Sequence, residues 1–315
     1  MFMHNLNLNY SVQDPEKYLF NATFRYWNNH QPHWDYRGIL SNLDNPDDYV
    51  DMVDLNSSDN QVPALDLYYQ RNLKNDQTLV FNVVGTYNRT SSHRFYQESR
   101  GEELLTDINN RVSGKKYSLI GEAIYEKKLA NGNSLSGGVW HTQSFSDNEY
   151  RNGHDYDTHM DQSASSIYGE FKGKVRKLDY MLGVELARLY YKQEGTDDSD
   201  QFYTFNPRFT LQYALPGQSF IRLKGYVGNL SPSLGNLNAV EQVIDSLQLQ
   251  RGNPRLESYM SYLLDLNYEY QKGIFYALVN GTYEYVPNAI MDEKYQEGNK
   301  IIQTWNNQKN WQRVV

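Results

Sequence analysis

The feature that most constrains this chain is a strict alternation of apolar and polar side chains. It is clearest in residues 259–285, YMSYLLDLNYEYQKGIFYALVNGTYEY. Tyr262, Leu264, Leu266, Tyr268 and Tyr270 fall on one side of an extended chain, with Asp265, Asn267, Glu269 and Gln271 on the other. A period of two is a β-strand with one apolar and one polar face. Gln271-Lys272-Gly273 turns the chain back. Phe275, Ala277, Val279, Gly281, Tyr283 and Tyr285 then face Asn280, Thr282 and Glu284 across the strand. Such a hairpin must lay its apolar face on a core or in lipid.

The pattern recurs along the chain. Leu6, Leu8 and Tyr10 begin it, and Tyr18, Phe20, Ala22, Phe24 and Tyr26 follow after a turn near Asp14. The polar segment 27–60 reads as a long loop, with its aspartates and two X-Pro steps. Strands are then expected at about 62–73 and 77–95, and a loop runs to about Lys115. Tyr117, Leu119, Gly121, Ala123 and Tyr125 lead through Asn131-Gly132 to Leu135, Gly137 and Val139. A loop spans about 146–160, and two strands meet at Arg176-Lys177. Tyr203, Phe205, Phe209, Leu211 and Tyr213 precede the turn Pro216-Gly217, and a second long loop covers 231–257. A last strand begins near Lys300. The count is about thirteen strands, in which tight turns at 14, 75, 131, 177, 217 and 272 alternate with longer connections. Short turns at one end and long loops at the other are the habit of transmembrane barrels. Pro207 interrupts one strand, where a bulge or a position already above the membrane is expected.

Two magnitudes separate a membrane wall from a soluble sandwich. Soluble strands average about 5–6 residues, whereas several runs here alternate for about the 9–11 residues that a tilted membrane strand needs. Tyrosines also recur eight residues apart on the apolar face, at Tyr18 and Tyr26, Tyr117 and Tyr125, and Tyr262 and Tyr270; Tyr203 and Tyr213 are ten apart. At the usual rise and tilt, eight to ten residues climb roughly 19–27 Å, close to the height of the apolar band between two aromatic girdles. The 28 tyrosines against 12 phenylalanines suit such girdles. The cations Arg25, Arg208, Arg222 and Lys224 fall on the polar face with Asp265 and Glu269, while Arg188 sits near a strand end from which it can snorkel. Zero cysteines fit a periplasm-facing chain, and a net charge of −8 without a basic patch argues against a nucleic-acid partner.

The run Ser231-Pro232-Ser233, then Ile244-Asp245-Ser246, Gly252-Asn253-Pro254-Arg255-Leu256 and Thr304-Trp305-Asn306-Asn307-Gln308 carries a resemblance. It resembles the barrel of TonB-dependent outer-membrane receptors of the Bacteroidetes type, the "outer membrane protein β-barrel" family. The resemblance implies a barrel of about 22 strands around a plug, driven from the inner membrane through TonB. It also implies a nutrient as cargo (a siderophore, cobalamin, a glycan or a peptide) and a surface lipoprotein as a possible partner. The opening MFMHNLNLNYSV lacks the basic end and apolar core of a signal peptide. Residues 1–315 are therefore expected to be a single partial β-barrel domain. Signal peptide, TonB box, plug and closing C-terminal strands would lie elsewhere in a longer chain. The expected architecture is an all-β, antiparallel up-and-down wall, an open curved sheet with outer-membrane lipid as its surroundings.

For binding, Trp27, His30, His33, Trp34 and Tyr36 stand at the expected mouth, where aromatic rings stack on sugars or siderophores; girdle or loop packing is the alternative. His30 and His33 with nearby aspartates could form a metal site, but Pro32 between them breaks the helical spacing that would align them. Asp44, Asp47, Asp48, Asp51 and Asp54 lack the turn glycine of a calcium loop. No cofactor is expected. Ile244, Asp245, Gly252, Asn253, Pro254 and Leu256 read as a turn framework rather than a phosphate cradle. Ser166 and His159 lack the surroundings of a hydrolase nucleophile, so no enzyme is expected. Arg25, Arg208, Arg222, Lys224, Asp265 and Glu269 would solvate a lumen or meet a plug. A passive porin-type channel and a soluble extracellular sugar-binding β-domain are the alternatives.

Overall fold

The computed structural model describes residues 1–41, 44–151, 155–193, 199–237 and 241–315. It is an antiparallel meander. Ten strands follow in order: β1 (Phe2–Asp14), β2 (Tyr18–Ser41), β3 (Tyr49–Leu73), β4 (Gln77–Arg100), β5 (Glu103–Lys128), β6 (Ser134–Arg151), β7 (Tyr156–Val175), β8 (Leu178–Gln193), β9 (Ser199–Ala214) and β10 (Phe220–Leu230). A short helix α1 (Leu234–Leu237) and the brief strands β11 (Gln242–Val243) and β12 (Gln248–Gln250) come next. The long strands β13 (Tyr259–Lys272), β14 (Phe275–Glu297) and β15 (Lys300–Val314) complete the described chain.

Each long strand pairs with its neighbour, and β10 passes directly to β13 across the connecting segment. The thirteen expected strands are the thirteen long ones; the sheet gains two more because β11 and β12 attach to β15. The sheet is open. Among the described residues, β1 pairs with β2 alone.

The register keeps the apolar and polar sets on separate faces of the sheet. Ile221, Leu223, Gly225 and Val227 lie opposite Tyr268, Leu266, Leu264 and Tyr262, while Arg222 and Lys224 lie opposite Asn267 and Asp265. Arg25 faces Asn7 and Ala64, on the same polar side as Thr23 and Asp66. The apolar face carries exposed Leu182, Val184, Leu186, Phe205, Leu264 and Leu266. This much uncovered apolar surface on one side needs a cover, and lipid supplies it. We refer to the polar side as the inner face and the apolar side as the outer face.

The girdles also follow the tilt of a barrel. Tyr117 is level in register with Phe145, Asp161, Lys192 and Ser199, so Tyr203 lies four residues further along β9. Rows of paired residues therefore run oblique to the tyrosine band, as they do when strands tilt in a sheared wall.

The far ends of the strands correct three expected loops. Most of the described part of 27–60 is not a loop: β2 and β3 pair from Gln31↔Ser58 and Trp34↔Asn56 out to Ser41↔Tyr49. The loop to Lys115 is the paired ends of β4 and β5, closed at Gly101-Glu102. Most of 146–160 likewise belongs to β6 and β7. Above the membrane both faces of a strand meet water, so alternation fades although the ladder continues. The bulge expected at Pro207 is absent. The β8–β9 ladder runs through it unshifted, and the β9–β10 ladder ends at Arg208, one residue away. The missing N–H falls where pairing has stopped.

Leu266→Arg should cost the membrane-inserted protein about 2–4 kcal/mol, whereas Asn267→Arg on the inner face should cost less than about 1 kcal/mol. Guanidinium unfolding in lipid vesicles reads the difference.

Candidate functional site

The segment joining β10 to β13 is the expected second long loop, and it does not hang free. It folds against inner-face side chains of distant strands, so the sheet curls far enough for one segment to touch β4, β8 and β15. Its best-formed turn is built by Asp245, whose Oδ1 accepts the backbone N–H groups of Leu247 (2.8 Å) and Gln248 (2.7 Å). Its Oδ2 accepts Gln248 Nε2 at 2.7 Å. An aspartate that bonds its own following backbone fixes a turn without further help.

That turn is clamped to β4. Arg94 donates to both carboxylate oxygens of Asp54 on β3, with Nε–Oδ1 at 3.1 Å and Nη2–Oδ2 at 3.0 Å, and Nη1 donates to the Ile244 carbonyl at 3.0 Å. The guanidinium lies 4.6 Å over the Tyr96 ring. Such a forked pair orients the arginine as well as balancing its charge. Next to it Tyr96 Oη donates to Glu98 at 2.5 Å, and the Ser246 N–H reaches the same carboxylate at 3.5 Å. Glu98 is only 1% exposed. Burial by itself pushes its carboxyl up, but hydrogen bonds from Ser246, Tyr96 and Thr106 outweigh burial and leave it below the ordinary value. Burial, reinforced by the Glu98 hydrogen bond, holds the Tyr96 hydroxyl well above its usual range. From the other side Lys300 Nζ donates to the Ser246 carbonyl at 2.6 Å.

The second half of the segment runs beside β15. Gln248–Gln250 pair in parallel with Ile301–Gln303. Asn253 accepts the Arg255 N–H on Oδ1 (3.0 Å) and donates from Nδ2 to the Trp305 carbonyl (3.0 Å) and Asn306 Oδ1 (2.8 Å). Leu256, 2% exposed, packs with Leu237, Met160 and Tyr191, against which Ile290 and Trp305 lie. The framework residues Ile244, Asp245, Gly252, Asn253, Pro254 and Leu256 thus sit in one inward-folded segment. Asp245, Asn253 and Leu256 carry its fastening.

The mouth residues divide. Trp27 shares the inner face with Arg25. The register shift between Gln31 and Trp34 flips the alternation, so Trp34 and Tyr36, opposite Asn56 and Asp54, also reach the inner face. Pro32 sits in that bulge, where a ladder needs no N–H. Trp34 is 66% exposed and Tyr36 59%, free to meet a ligand. His30 is on the outer face, stacked on Phe2 with ring centroids 6.4 Å apart and with Nδ1 3.9 Å from Asp59. His33 lies within the bulge. Asp48 and Asp54 are each taken by an arginine, Arg100 at 3.0 Å and Arg94 at 3.0 Å.

Lower on the inner face Arg25 lies 3.6 Å from Asp66, Arg208 is 3.4 Å from Glu170, and Arg222 Nε donates to Gln212 at 2.7 Å. Thr282 donates to Asp265 at 2.7 Å. Arg222, Lys224 and Asp265 line a polar recess of about 270 Å³ with Asn267, Asn280 and Thr282. Glu269 faces Phe220 across the ladder. Sequence reasoning missed Arg94, Tyr96 and Glu98, although their spacing of two already placed them on one face.

Comparisons with known proteins agree with this architecture. Residues 140–314 match a family described as the outer membrane protein beta-barrel family. No curated protein matches the chain. Among solved structures, the hemophore receptor HasR of Serratia marcescens aligns over 98% of this chain and 59% of its own, with a TM-score of 0.53 at 8% identity. The copper transporter OprC covers 95% and 55% with a TM-score of 0.53 at 9% identity. The ferric enterobactin receptor PfeA of Pseudomonas aeruginosa covers 99% and 56% with a TM-score of 0.51 at 11% identity. The likeness is one of fold, and the chain spans less than three-fifths of each of these proteins.

Asn253→Ala should loosen the segment by about 1 kcal/mol, the cost of losing its bonds to half-buried partners. Amide exchange should quicken at 250–258 but not in β13. The Glu98 clamp has its own pH signature. A carboxyl depressed in the folded state contributes stability above its ordinary value of 4.5, lost as pH falls through the depressed value. Protection of the Ser246 amide should therefore be flat above that ordinary value and be lost as pH falls below it.

Proposed function

This chain belongs to the outer membrane protein beta-barrel family, and on that premise we propose that it is part of the wall of a TonB-dependent receptor that takes up a nutrient. The outer membrane is its location, and its outer face meets lipid. The observation that carries the transport reading is the inward-folded segment 241–258, clamped by Arg94 and Glu98 and stitched to β15. A segment fastened across a polar inner face suits a selective receptor better than a wide open pore.

In this reading residues 1–315 are one partial barrel domain, and further strands of the same protein cover the open edges. A plug, contacted by Arg25, Arg208, Arg222, Lys224, Asp265 and Glu269, would occupy the inner space and connect to TonB. Trp27, Trp34 and Tyr36 form the capture surface, and stacking on flat or ring-shaped cargo suits siderophores, cobalamin or glycans better than small ions. A peptide is a further candidate cargo, and a surface lipoprotein could cover the mouth.

Uptake by cells expressing the full-length protein tests this reading, using a labelled ferric siderophore, cobalamin, an oligosaccharide and a peptide in turn. One of these is expected to enter saturably, and a protonophore should abolish its entry. The double change Trp34→Ala and Tyr36→Ala should reduce entry by about tenfold at equal surface expression. Entry that ignores the protonophore, with steady conductance in a planar bilayer, would make the protein a passive channel instead.

A further inference from the structure

The outer face carries a pair of cations that the wall itself does not use. Arg89 on β4 and Lys115 on β5 are directly opposite in register. Like charges in that position repel and destabilise a ladder. Among the described residues neither side chain has a hydrogen bond or an ion pair, although Asp147 on β6 lies opposite Lys115 in register. The acids in the same depression are already engaged: Asp147 by His159 Nδ1 at 2.5 Å, and Asp157 and Glu149 by Arg151 at 2.7 and 3.5 Å. The depression has a volume of about 660 Å³.

Its height is informative. Arg89 and Lys115 are two residues beyond Tyr87 and Tyr117, whose rings lie 4.8 Å apart in the upper girdle. Two residues on a tilted strand rise about 5 Å, which places the cations at the level of lipid headgroups. Ser91 and Ser113, the next outer-face pair, are small and leave the space above the cations open.

Below the cations the same strands form an apolar groove of about 460 Å³, lined by Phe24, Leu65, Gly85, Tyr87, Leu119 and Phe145 among others. A Cβ built on Gly85 would meet nothing within 4 Å, so the groove is open along its floor. A cationic pair at headgroup height above an open apolar groove has the shape and charge of a phosphate with its acyl chain attached.

We propose that Arg89, Lys115 and the groove over Gly85 form a binding site for an outer-leaflet lipid that carries a phosphate. The phosphate bridges the guanidinium and the ammonium through charge-assisted hydrogen bonds, and one acyl chain lies in the groove. The site depends on the membrane placement of the wall and not on what the protein transports, so the uptake experiment and this one fail independently.

Native mass spectrometry of the full-length protein in detergent, titrated with dioleoyl phosphatidic acid, tests the site. The double change Arg89→Gln and Lys115→Gln should lower lipid occupancy by about tenfold or more, and Arg89→Lys should retain most of it. Gly85→Phe, which fills the groove and leaves both cations in place, should lower occupancy as well. Retained heat-resistant mobility of each variant on unboiled gels confirms that it folds. Equal occupancy in wild type and the double variant would overturn the proposal. So would inorganic phosphate competing fully while Gly85→Phe has no effect, since that assigns the cations to a free anion.

Discussion

The structure depends on one requirement: a strand that crosses lipid must hydrogen-bond every backbone N–H and C=O within the sheet. The meander meets it by pairing each long strand with its neighbour, and the register shifts, at Gln31/Trp34 and at Glu98/Ser99, fall towards the far ends of the strands. The prolines show how tightly the requirement binds. Pro32 lies in a bulge, and Pro207 stands one residue beyond the last β9–β10 pair. At Pro63 the β3–β4 ladder skips from Gln61↔Arg89 to Ala64↔Thr86, while the β2 side still pairs it with Tyr26. At Pro287 the β14–β15 ladder skips between Val286↔Trp311 and Asn288↔Lys309. A residue without an N–H is tolerated only where the ladder lacks a use for one.

Side-chain chemistry divides along the same sheet. On the outer face the membrane supplies the burial, so leucines and tyrosines need no protein partner. On the inner face polar groups must satisfy one another or meet water. The clearest protein-made satisfaction lies where the 241–258 segment closes over β4, with Arg94 held by Asp54 and Glu98 by Tyr96 and Ser246. Removing a partner of Glu98 there would strand a buried charge. The same segment ties β4 to β15 across the inner face.

Much of this was legible in the sequence. The period of two identified the strands, and the recurrent tyrosines identified lipid, because only a slab of fixed thickness imposes a fixed spacing between amphipathic rings. Arg25, Arg208, Arg222, Lys224, Asp265 and Glu269 were assigned to the inner face by parity alone. The far ends of β2–β7 were not legible. There the chain is wet on both sides, and a paired strand with polar residues on both faces looks like a loop. The fate of Trp34 and Tyr36 was also hidden, since their face depends on a bulge at Pro32 that parity counted from Tyr26 cannot foresee.

The sequence by itself determined the periodicity, the turn positions, the face of each membrane-spanning residue and the family to which the chain belongs. These are local properties, set by the alternation of Cβ directions and by a few turn residues. Only the tertiary structure decided that residues 241–258 fold inward, that Arg94 and Glu98 receive them, and that Arg89 and Lys115 meet above an open groove. Those outcomes rest on strand register and sheet curvature, which bring together residues as far apart as Arg94 and Ile244. No local pattern encodes that meeting.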